Sequence, residues 1–295
     1  MTPAPVPPLS HLRLVRYATG WGHTPAEYAK ALAAGEPVPL KTTTHPATGE
    51  PFVSVYRTAL AMPSSSKRAN EPDSVEVVVK VCPLPGVGKQ IQSLLKRTKH
   101  HRQWRGHELL HAAGVPSAAP LAILRARAPD GEAEVMILAH AEGKTLLERF
   151  SEYQDGLPLP PLIAPALAHT ITQLEQHRLW NRDPKPSNIL TQQPEPGGFE
   201  ITLLDTVGVE RRSSKPHDLL RHVLGLILLE SRGSGAPCPP QFTAELARAA
   251  LQLRAKRGTN TGRLDDRVNQ LLREVEREIE HRDGSPEDRP LPPSV

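Results

Sequence analysis

The order of hydrophobic patterns predicts an α+β fold with two lobes. The N-terminal lobe would contain a small antiparallel sheet and one helix, and the larger C-terminal lobe would be mainly helical. The β-branched segment VEVVVKV at residues 75–81 is the strongest strand signal. From residue 162 onward, apolar residues recur three or four positions apart, which is typical of amphipathic helices. This order matches a two-lobed, protein-kinase-like fold with the ligand cleft between the lobes.

The first lobe is predicted to begin with a short helix. Thr24-Pro25-Ala26-Glu27 forms a capping box with proline at the first helical position. Strands are expected at residues 52–61 and 75–81, separated by the polar loop 63–74.

A single helix is predicted over residues 89–113, because Gly114-Val115-Pro116 contains the residues that end helices. Two more strands are expected at residues 121–126 and 134–139, joined by the turn Pro129-Asp130-Gly131.

The C-terminal lobe is predicted to be mostly helical. Thr145-Leu146-Leu147-Glu148 is a second capping box and starts a helix. Further helices are expected at residues 162–179, 216–231, 240–256 and 262–281. The resulting domain prediction is a mobile N-terminal segment over 1–23, an N-lobe over 24–139, a C-lobe over 140–281 and a disordered tail over 282–295.

Composition narrows the function classes. The net charge of +4 and pI of 9.1 are mildly basic, which permits anionic partners without requiring them. The two cysteines form no disulfide framework, and the first ten residues lack a signal pattern, so we expect a cytoplasmic protein. With four Phe and three Trp there is little aromatic surface for base stacking, and no nucleic-acid partner is expected.

Two segments carry the pattern of a phosphotransfer site. Asp183 is followed five residues later by Asn188 and an apolar pair, and Asp205 ends a short apolar strand. Asp183 would accept the proton of an acceptor hydroxyl, and Lys185 would face the γ-phosphate of ATP. Asn188 and Asp205 would supply the oxygen ligands that Mg²⁺ prefers. The competing interpretation is a surface turn, because Asp, Pro, Ser and Asn all favour turns.

Lys80 lies within the predicted strand VVVKV. Taken alone, a charged residue in a strand is expected to point to solvent. Lys80 precedes Asp183 by about a hundred residues, however, and a predicted helix follows it. This is the position of the lysine that holds the α- and β-phosphates in the kinase fold.

With these residues assembled, the chain resembles the bacterial lipopolysaccharide kinases, the Kdo and heptose kinases, over about residues 75–225. Residues 102–120 are similar to the family's Trp-containing helix that ends in Gly-Val-Pro. Residues 181–190 are similar to its catalytic loop, residues 203–205 to its metal-binding strand, and residues 218–220 to the Asp-Leu of the next helix.

The resemblance implies an ATP- and Mg²⁺-dependent kinase whose hydroxylated acceptor is a sugar of the lipopolysaccharide core. It also implies that Gln103 replaces the glutamate that pairs with the strand lysine, so that Gln103 would hydrogen-bond Lys80 and help to hold the nucleotide. Asn181 replaces the catalytic-loop histidine, and Thr206 follows the metal-binding aspartate. No Gly-x-Gly-x-x-Gly precedes Lys80, so we expect another backbone cradle for the phosphates within residues 53–74.

The segment 89–105 carries a dense positive charge, with no acid before Glu108. The cations are Lys89, Lys96, Arg97, Lys99, Arg102 and Arg105. One interpretation is the solvated face of a helix. The other is contact with a phosphorylated core sugar or with anionic lipid headgroups, at the inner face of the cytoplasmic membrane.

Two other functions stay open. A pseudokinase, acting as a binding or scaffold module, would explain Gln103 and the missing glycine-rich loop. A protein Ser/Thr kinase would explain Lys185, although the short stretch between Asp205 and the next helix leaves little room for an activation segment.

Overall fold

The computed structural model describes residues 9–19, 21, 23–44, 51–61, 74–84, 86–128, 131–193, 198–214, 218–255 and 264–284. The predicted tail from residue 285 onward and nearly all of the predicted loop 63–74 lie outside these residues. The chain forms two compact units. The first comprises the described residues of Met1–Trp104 and Ala118–His140, and the second comprises Arg105–Ser117 and the described residues of Ala141–Pro293.

The first unit is built on a six-stranded antiparallel sheet with strand order β1-β5-β6-β4-β3-β2. Its strands are β1 (Ser10–Tyr17), β2 (Val38–Thr44), β3 (Pro51–Ala61), β4 (Ser74–Pro83), β5 (Pro120–Ala128) and β6 (Gly131–Ala139). The four predicted strands correspond to β3 to β6.

The two edge strands were not predicted from the sequence. Residues 10–17, which were assigned to a mobile segment, form β1 instead, because pairing with β5 satisfies their backbone groups. Strand β2 contains Pro39, which breaks a strand interior but is tolerated at a sheet edge.

The two faces of the sheet carry different helices. Helix α1 (Pro25–Ala34) begins at the predicted capping box and places Tyr28 in a cluster with the alternate β4 residues Val77 and Val79. The opposite face carries Met136 in a cluster with Trp104, which lies on the predicted basic helix. Lys80 therefore lies on a different face from the buried valines, as the two-residue side-chain period of a strand requires.

The predicted helix over residues 89–113 is wrong as a single element. It consists of α2 (Gly86–Leu94) and α3 (Lys99–Ala112), separated by a short connector. Helix α2 ends because Lys96 adopts a left-handed conformation with φ of 54°. The Lys96 and Arg97 amides then donate to the carbonyls of Ser93 and Gln92, which is the Schellman arrangement usually made by glycine.

The second unit is mainly helical and contains two small antiparallel sheets, ordered β10-β9-β7 and β11-β8. Its strands are β7 (Lys144–Thr145), β8 (Leu179–Asn181), β9 (Ile189–Gln192), β10 (Glu200–Leu203) and β11 (Val209–Arg211). Its helices are α4 (Leu146–Gln154), α5 (Ile163–Gln176), α6 (Leu219–Gly233), α7 (Pro240–Ala255) and α8 (Leu264–Gly284), all close to the predicted positions.

One continuous core fills the second unit, in which α7 packs against α5 and α8. Leu110 of α3 and Val115, which follows that helix, also belong to this core. The helix ends at Gly114, as predicted, and Gly114 adopts a left-handed conformation. None of the helices within the described residues is long and apolar enough to cross a bilayer.

Candidate active site

Lys80 and Gln103 contact each other within the first unit. The Lys80 ammonium donates a hydrogen bond to Gln103 Oε1 over 3.1 Å. Gln103 is only 2% exposed on α3, whereas Lys80 is partly exposed. The pair agrees with the contact that the resemblance implied. Because Gln103 is neutral, this buried position of α3 carries no charge, whereas a glutamate there would be a buried carboxylate.

A buried polar network fixes the connector between α2 and α3 to the sheet. At its centre lies Glu134 of β6, which is fully buried. It accepts hydrogen bonds from Ser93 Oγ at 2.7 Å and Thr98 Oγ1 at 2.5 Å. His100 Nδ1 lies 3.1 Å from Glu134 Oε1, close enough for an ion pair although the ring N–H is not aligned for a hydrogen bond. The network thereby sets the start of α3, the helix that carries Gln103.

The electrostatics of Glu134 follow from these contacts. Burial alone raises the pKa of a carboxyl group, but His100, Thr98 and Ser93 together outweigh it and lower the pKa of Glu134 to about 2. Burial lowers the pKa of His101, and the nearby Glu134 only partly offsets that effect. Sequence reasoning missed Glu134, because a lone acid in an apolar strand gives no signal of its partners.

The predicted catalytic loop lies in the second unit and begins at the end of β8. Asn181 is buried, and its Oδ1 accepts the Asp183 backbone amide at 3.1 Å. The Arg182 amide donates to the carbonyl of Gly208 at 3.1 Å, next to β11, the pairing partner of β8. Asn181 thus contacts the backbone at the start of the loop.

Asp183, Lys185 and Asn188 come together in this loop. Asn188 Nδ2 donates to Asp183 Oδ2 at 3.0 Å and to the Asp183 carbonyl at 3.1 Å. Lys185 Nζ lies 3.5 Å from the same Oδ2. Both charged side chains are partly exposed, at 45% for Asp183 and 32% for Lys185, so they are accessible from solvent. Asn188 and Lys185 therefore both hold the Asp183 carboxylate through its Oδ2 atom.

The short 3₁₀ helix Pro186–Asn188 is held by a glutamate that sequence reasoning did not find. Glu230 of α6 accepts the Ser187 backbone amide at 2.8 Å and the Ser187 hydroxyl at 2.6 Å, one bond to each carboxylate oxygen. Charge-assisted pairs of this kind are stronger than neutral hydrogen bonds and fix orientation. No spacing rule links positions 187 and 230, so only the fold brings them together.

Asp205 follows β10 and lies beside the catalytic loop. The Leu204 amide donates to the Asn188 carbonyl at 3.0 Å, which extends the pairing of β10 with β9. Asp205 Oδ1 accepts the Val207 amide at 3.0 Å and forms an Asx turn. The structure therefore places the predicted ligands Asn188 and Asp205 on neighbouring segments.

Thr206, the residue after Asp205, is packed directly against α3. A Cβ added to Gly106 would lie 2.0 Å from the Thr206 carbonyl oxygen, so only glycine allows the helix to approach this closely. Thr206 itself is completely buried, and its carbonyl accepts the Val209 amide at 3.1 Å. A glycine within a predicted helix was the available sequence signal for this contact.

The donor set at Asn188 and Asp205 fits Mg²⁺ better than a transition metal. Within the described residues there is no cluster of three or more His, Cys, Asp or Glu side chains that could hold a metal ion. Magnesium is usually bound by one or two protein oxygens together with substrate phosphates and water. Because Asn188 Nδ2 contacts Asp183, its amide oxygen is the atom left to face a cation.

Comparisons with known proteins identify the fold. No protein-family model matches the chain, and no curated protein matches its sequence. Among solved structures, it is similar to WaaP in complex with acyl carrier protein, with 17% identity and a TM-score of 0.52 over 91% of this chain and 98% of that chain. A kinase domain of PknI from Mycobacterium tuberculosis aligns over 81% of this chain and 96% of that chain, with 15% identity and a TM-score of 0.38.

The predicted α+β architecture is confirmed: an antiparallel sheet unit and a mainly helical unit match a kinase-fold protein over almost its whole length. The resemblance to lipopolysaccharide kinases that the sequence motifs indicated is likewise confirmed at the level of the fold. The chain therefore has a protein-kinase-like fold of the type found in WaaP.

Proposed function

We propose that this chain is an ATP- and Mg²⁺-dependent phosphotransferase that phosphorylates a hydroxyl group of a lipopolysaccharide core sugar or related envelope glycan. The observation that carries the proposal is the catalytic loop, where the Asp183 carboxylate lies 3.0 Å from Asn188 Nδ2 and 3.5 Å from Lys185 Nζ. A turn without catalytic function would have no need to orient these three side chains while leaving Asp183 accessible. The motifs that resemble those of lipopolysaccharide kinases support the proposed acceptor class.

Each residue has a defined task in this proposal. The acceptor oxygen forms a bond to the γ-phosphorus while its proton passes to Asp183, and the bond from that phosphorus to the leaving oxygen of ADP breaks. Lys185 neutralises charge on the transferring group, and Lys80, held by Gln103, binds the α- and β-phosphates. Asn188 and Asp205 would hold Mg²⁺, which when bound neutralises phosphate charge and orients the phosphate oxygens.

The acceptor and the compartment belong to the same proposal. A core sugar under assembly is linked to lipid, so we place the reaction on the cytoplasmic side of the membrane. A protein Ser/Thr kinase is the weaker alternative, because only thirteen residues separate Asp205 from the start of α6 at Leu219. An extended activation and peptide-docking segment does not fit into that length.

A pseudokinase is the alternative that a specific observation favours. The Lys80–Gln103 contact places a neutral amide where active protein kinases have a glutamate. A protein of this kind would bind ATP, gain thermal stability from it, and transfer no phosphate. The oriented Asp183, which nucleotide binding alone does not require, supports the enzyme.

The test is phosphate transfer from γ-labelled ATP to lipopolysaccharide core sugars, with aminoglycosides and generic protein substrates as comparison acceptors. We expect Asp183→Ala to lower kcat by about 10²- to 10⁴-fold, the usual contribution of a general base, while ATP still raises the melting temperature. Asp266→Ala, at an exposed position of α8, is the matched control and should leave kcat unchanged. Full activity of Asp183→Ala would remove this residue from the mechanism.

A further inference from the structure

Helix α2 buries a polar residue and exposes apolar residues, the reverse of an ordinary surface helix. Among the α2 residues whose burial the structure describes, the buried one is Ser93, which is polar and donates to Glu134. Three large apolar residues at its C-terminal end face outward: Ile91 is 48% exposed, Leu94 67%, and Leu95, which directly follows the helix, 57%. A surface helix normally buries its apolar residues, so burial does not explain why these three are aliphatic.

The inverted orientation is fixed rather than incidental. Ser93 Oγ also accepts from Arg125 Nε at 3.1 Å, and Arg125 Nη2 donates to the Gln90 carbonyl at 3.1 Å. Rotating α2 to bury Leu94 would break these bonds and remove Ser93, one of the hydrogen-bond donors to the buried Glu134. The apolar residues are therefore held at the surface by the polar network beneath them.

Positive charge follows the apolar residues along the chain. Lys96, Arg97, Lys99 and Arg102 are all exposed. No acidic residue occurs in the sequence between Glu76 and Glu108. The surface formed by Ile91, Leu94, Leu95 and these four cations, here called the α2 surface, thus combines aliphatic groups with charge of one sign.

We propose that the α2 surface docks on an anionic lipid bilayer. Cations at a bilayer surface attract anionic headgroups while neighbouring aliphatic side chains insert at the acyl boundary, and the α2 surface offers both. Three side chains expose only on the order of a few hundred Å² of apolar area, well below the roughly 800 Å² per partner of a standard protein interface. Lipid partitioning has no such area requirement, which favours a membrane over a protein partner.

This inference rests on the proposed function for its purpose, because docking would bring the enzyme to a lipid-linked sugar. Its evidence is separate, however, and so is its test. Each cation near an anionic surface strengthens binding by about fivefold, and insertion of a leucine side chain strengthens it by about tenfold or more. The two contributions can therefore be removed one at a time.

The experiment is vesicle co-sedimentation of the full chain, using phosphatidylcholine vesicles with and without a third of phosphatidylglycerol. We expect binding only to the anionic vesicles, weakening as salt is raised because exposed charges are screened. Leu94→Gln together with Leu95→Gln should lower binding by about 100-fold. Arg97→Gln together with Arg102→Gln should lower it by about 25-fold.

Matched controls carry the same changes elsewhere. Leu157→Gln with Leu162→Gln alters exposed leucines of the second unit, and Arg273→Gln with Arg277→Gln removes two exposed cations of α8. These variants should bind vesicles like the unaltered chain. Circular dichroism melting is expected to show all four variants folded, since every substituted side chain is at least partly exposed.

Three results would overturn the docking proposal. They are the absence of binding to anionic vesicles, equal losses in the control variants, and binding to an acidic protein such as acyl carrier protein in place of vesicles. None of them depends on phosphotransfer. A catalytically inactive chain that still binds vesicles would refute the proposed function alone, and an active chain that ignores vesicles would refute the docking alone.

Discussion

Replacing Glu134 by glutamine should destabilise the first unit and change how its stability depends on pH. The buried carboxylate accepts from Ser93 and Thr98 and contacts His100, and it has no route to solvent. Glutamine keeps the volume of the side chain but replaces one acceptor oxygen with an N–H donor. The network then holds more donors than acceptors in a dry environment, which is costly.

The size of the effect can be obtained in two ways. A hydrogen bond to a charged group contributes about 1.5–3 kcal/mol, so the bonds from Ser93 and Thr98 together represent about 4 kcal/mol. Independently, lowering the pKa of Glu134 from 4.5 to about 2 corresponds to roughly 3 kcal/mol of stability at neutral pH. We expect Glu134→Gln to lose about 2–4 kcal/mol of unfolding free energy.

The pH dependence has a definite sign. Because the folded-state pKa of Glu134 lies below the unfolded value, its stabilisation is fully present above pH 4.5 and disappears as the pH falls toward 2. The unaltered chain should therefore lose this stability between about pH 4.5 and 2. The glutamine variant has no such carboxylate, so its stability curve should be flatter in that window.

Urea unfolding monitored by circular dichroism at a series of pH values measures both quantities. Glu132→Gln is the matched control, because Glu132 lies on the same strand but is exposed, and its loss should be within about 0.5 kcal/mol. The affinity for ATP should also fall in Glu134→Gln, since α3 carries Gln103, the partner of Lys80. Equal stability of the two variants at neutral pH, or parallel pH curves for Glu134→Gln and the unaltered chain, would refute the reasoning.

Two further substitutions test the support of the catalytic loop and of Asp205. Gly106→Ala should cost about 1–2 kcal/mol of stability and reduce phosphotransfer. The new Cβ must displace the Thr206 carbonyl, and this costs more free energy than the higher helix propensity of alanine regains. In contrast, Gly225→Ala, where nothing lies within 4 Å of the added Cβ, should stabilise the chain by up to about 1 kcal/mol in the same urea unfolding assay. Glu230→Gln should lower kcat by about tenfold and the unfolding free energy by about 1–2 kcal/mol, because Ser187 loses one charge-assisted bond; an unchanged kcat would show that the loop keeps its shape without it.

The local sequence pattern was sufficient to predict a structural feature wherever that feature depends on residues close together along the chain. The capping boxes at Thr24 and Thr145 form as predicted, and Gly114 ends α3 as predicted. The catalytic loop followed from the five-residue spacing of Asp183 and Asn188, which a short 3₁₀ helix turns into a side-chain contact. Each of these features spans six residues or fewer.

Long-range partners could not be obtained in this way. Ser187 meets Glu230, Gly106 meets Thr206, and Ser93 meets Glu134 only after strands and helices have packed. The break between α2 and α3 was missed for the same reason. A lysine in a left-handed conformation gives no local signal, and the residues on either side of it, Ser93 and Thr98, are held by Glu134, which is distant in sequence.

By itself, the sequence determined the α+β class, most of the elements and the side chains proposed for phosphotransfer, because secondary structure and short loops follow from local periodicity and turn chemistry. Only the tertiary structure decided that the first strand exists, that Glu230 holds Ser187, and that α2 presents leucines to solvent. The physical reason is that burial and hydrogen bonding are satisfied over the whole fold. In α2, a buried carboxylate distant in sequence determines which face of the helix points outward.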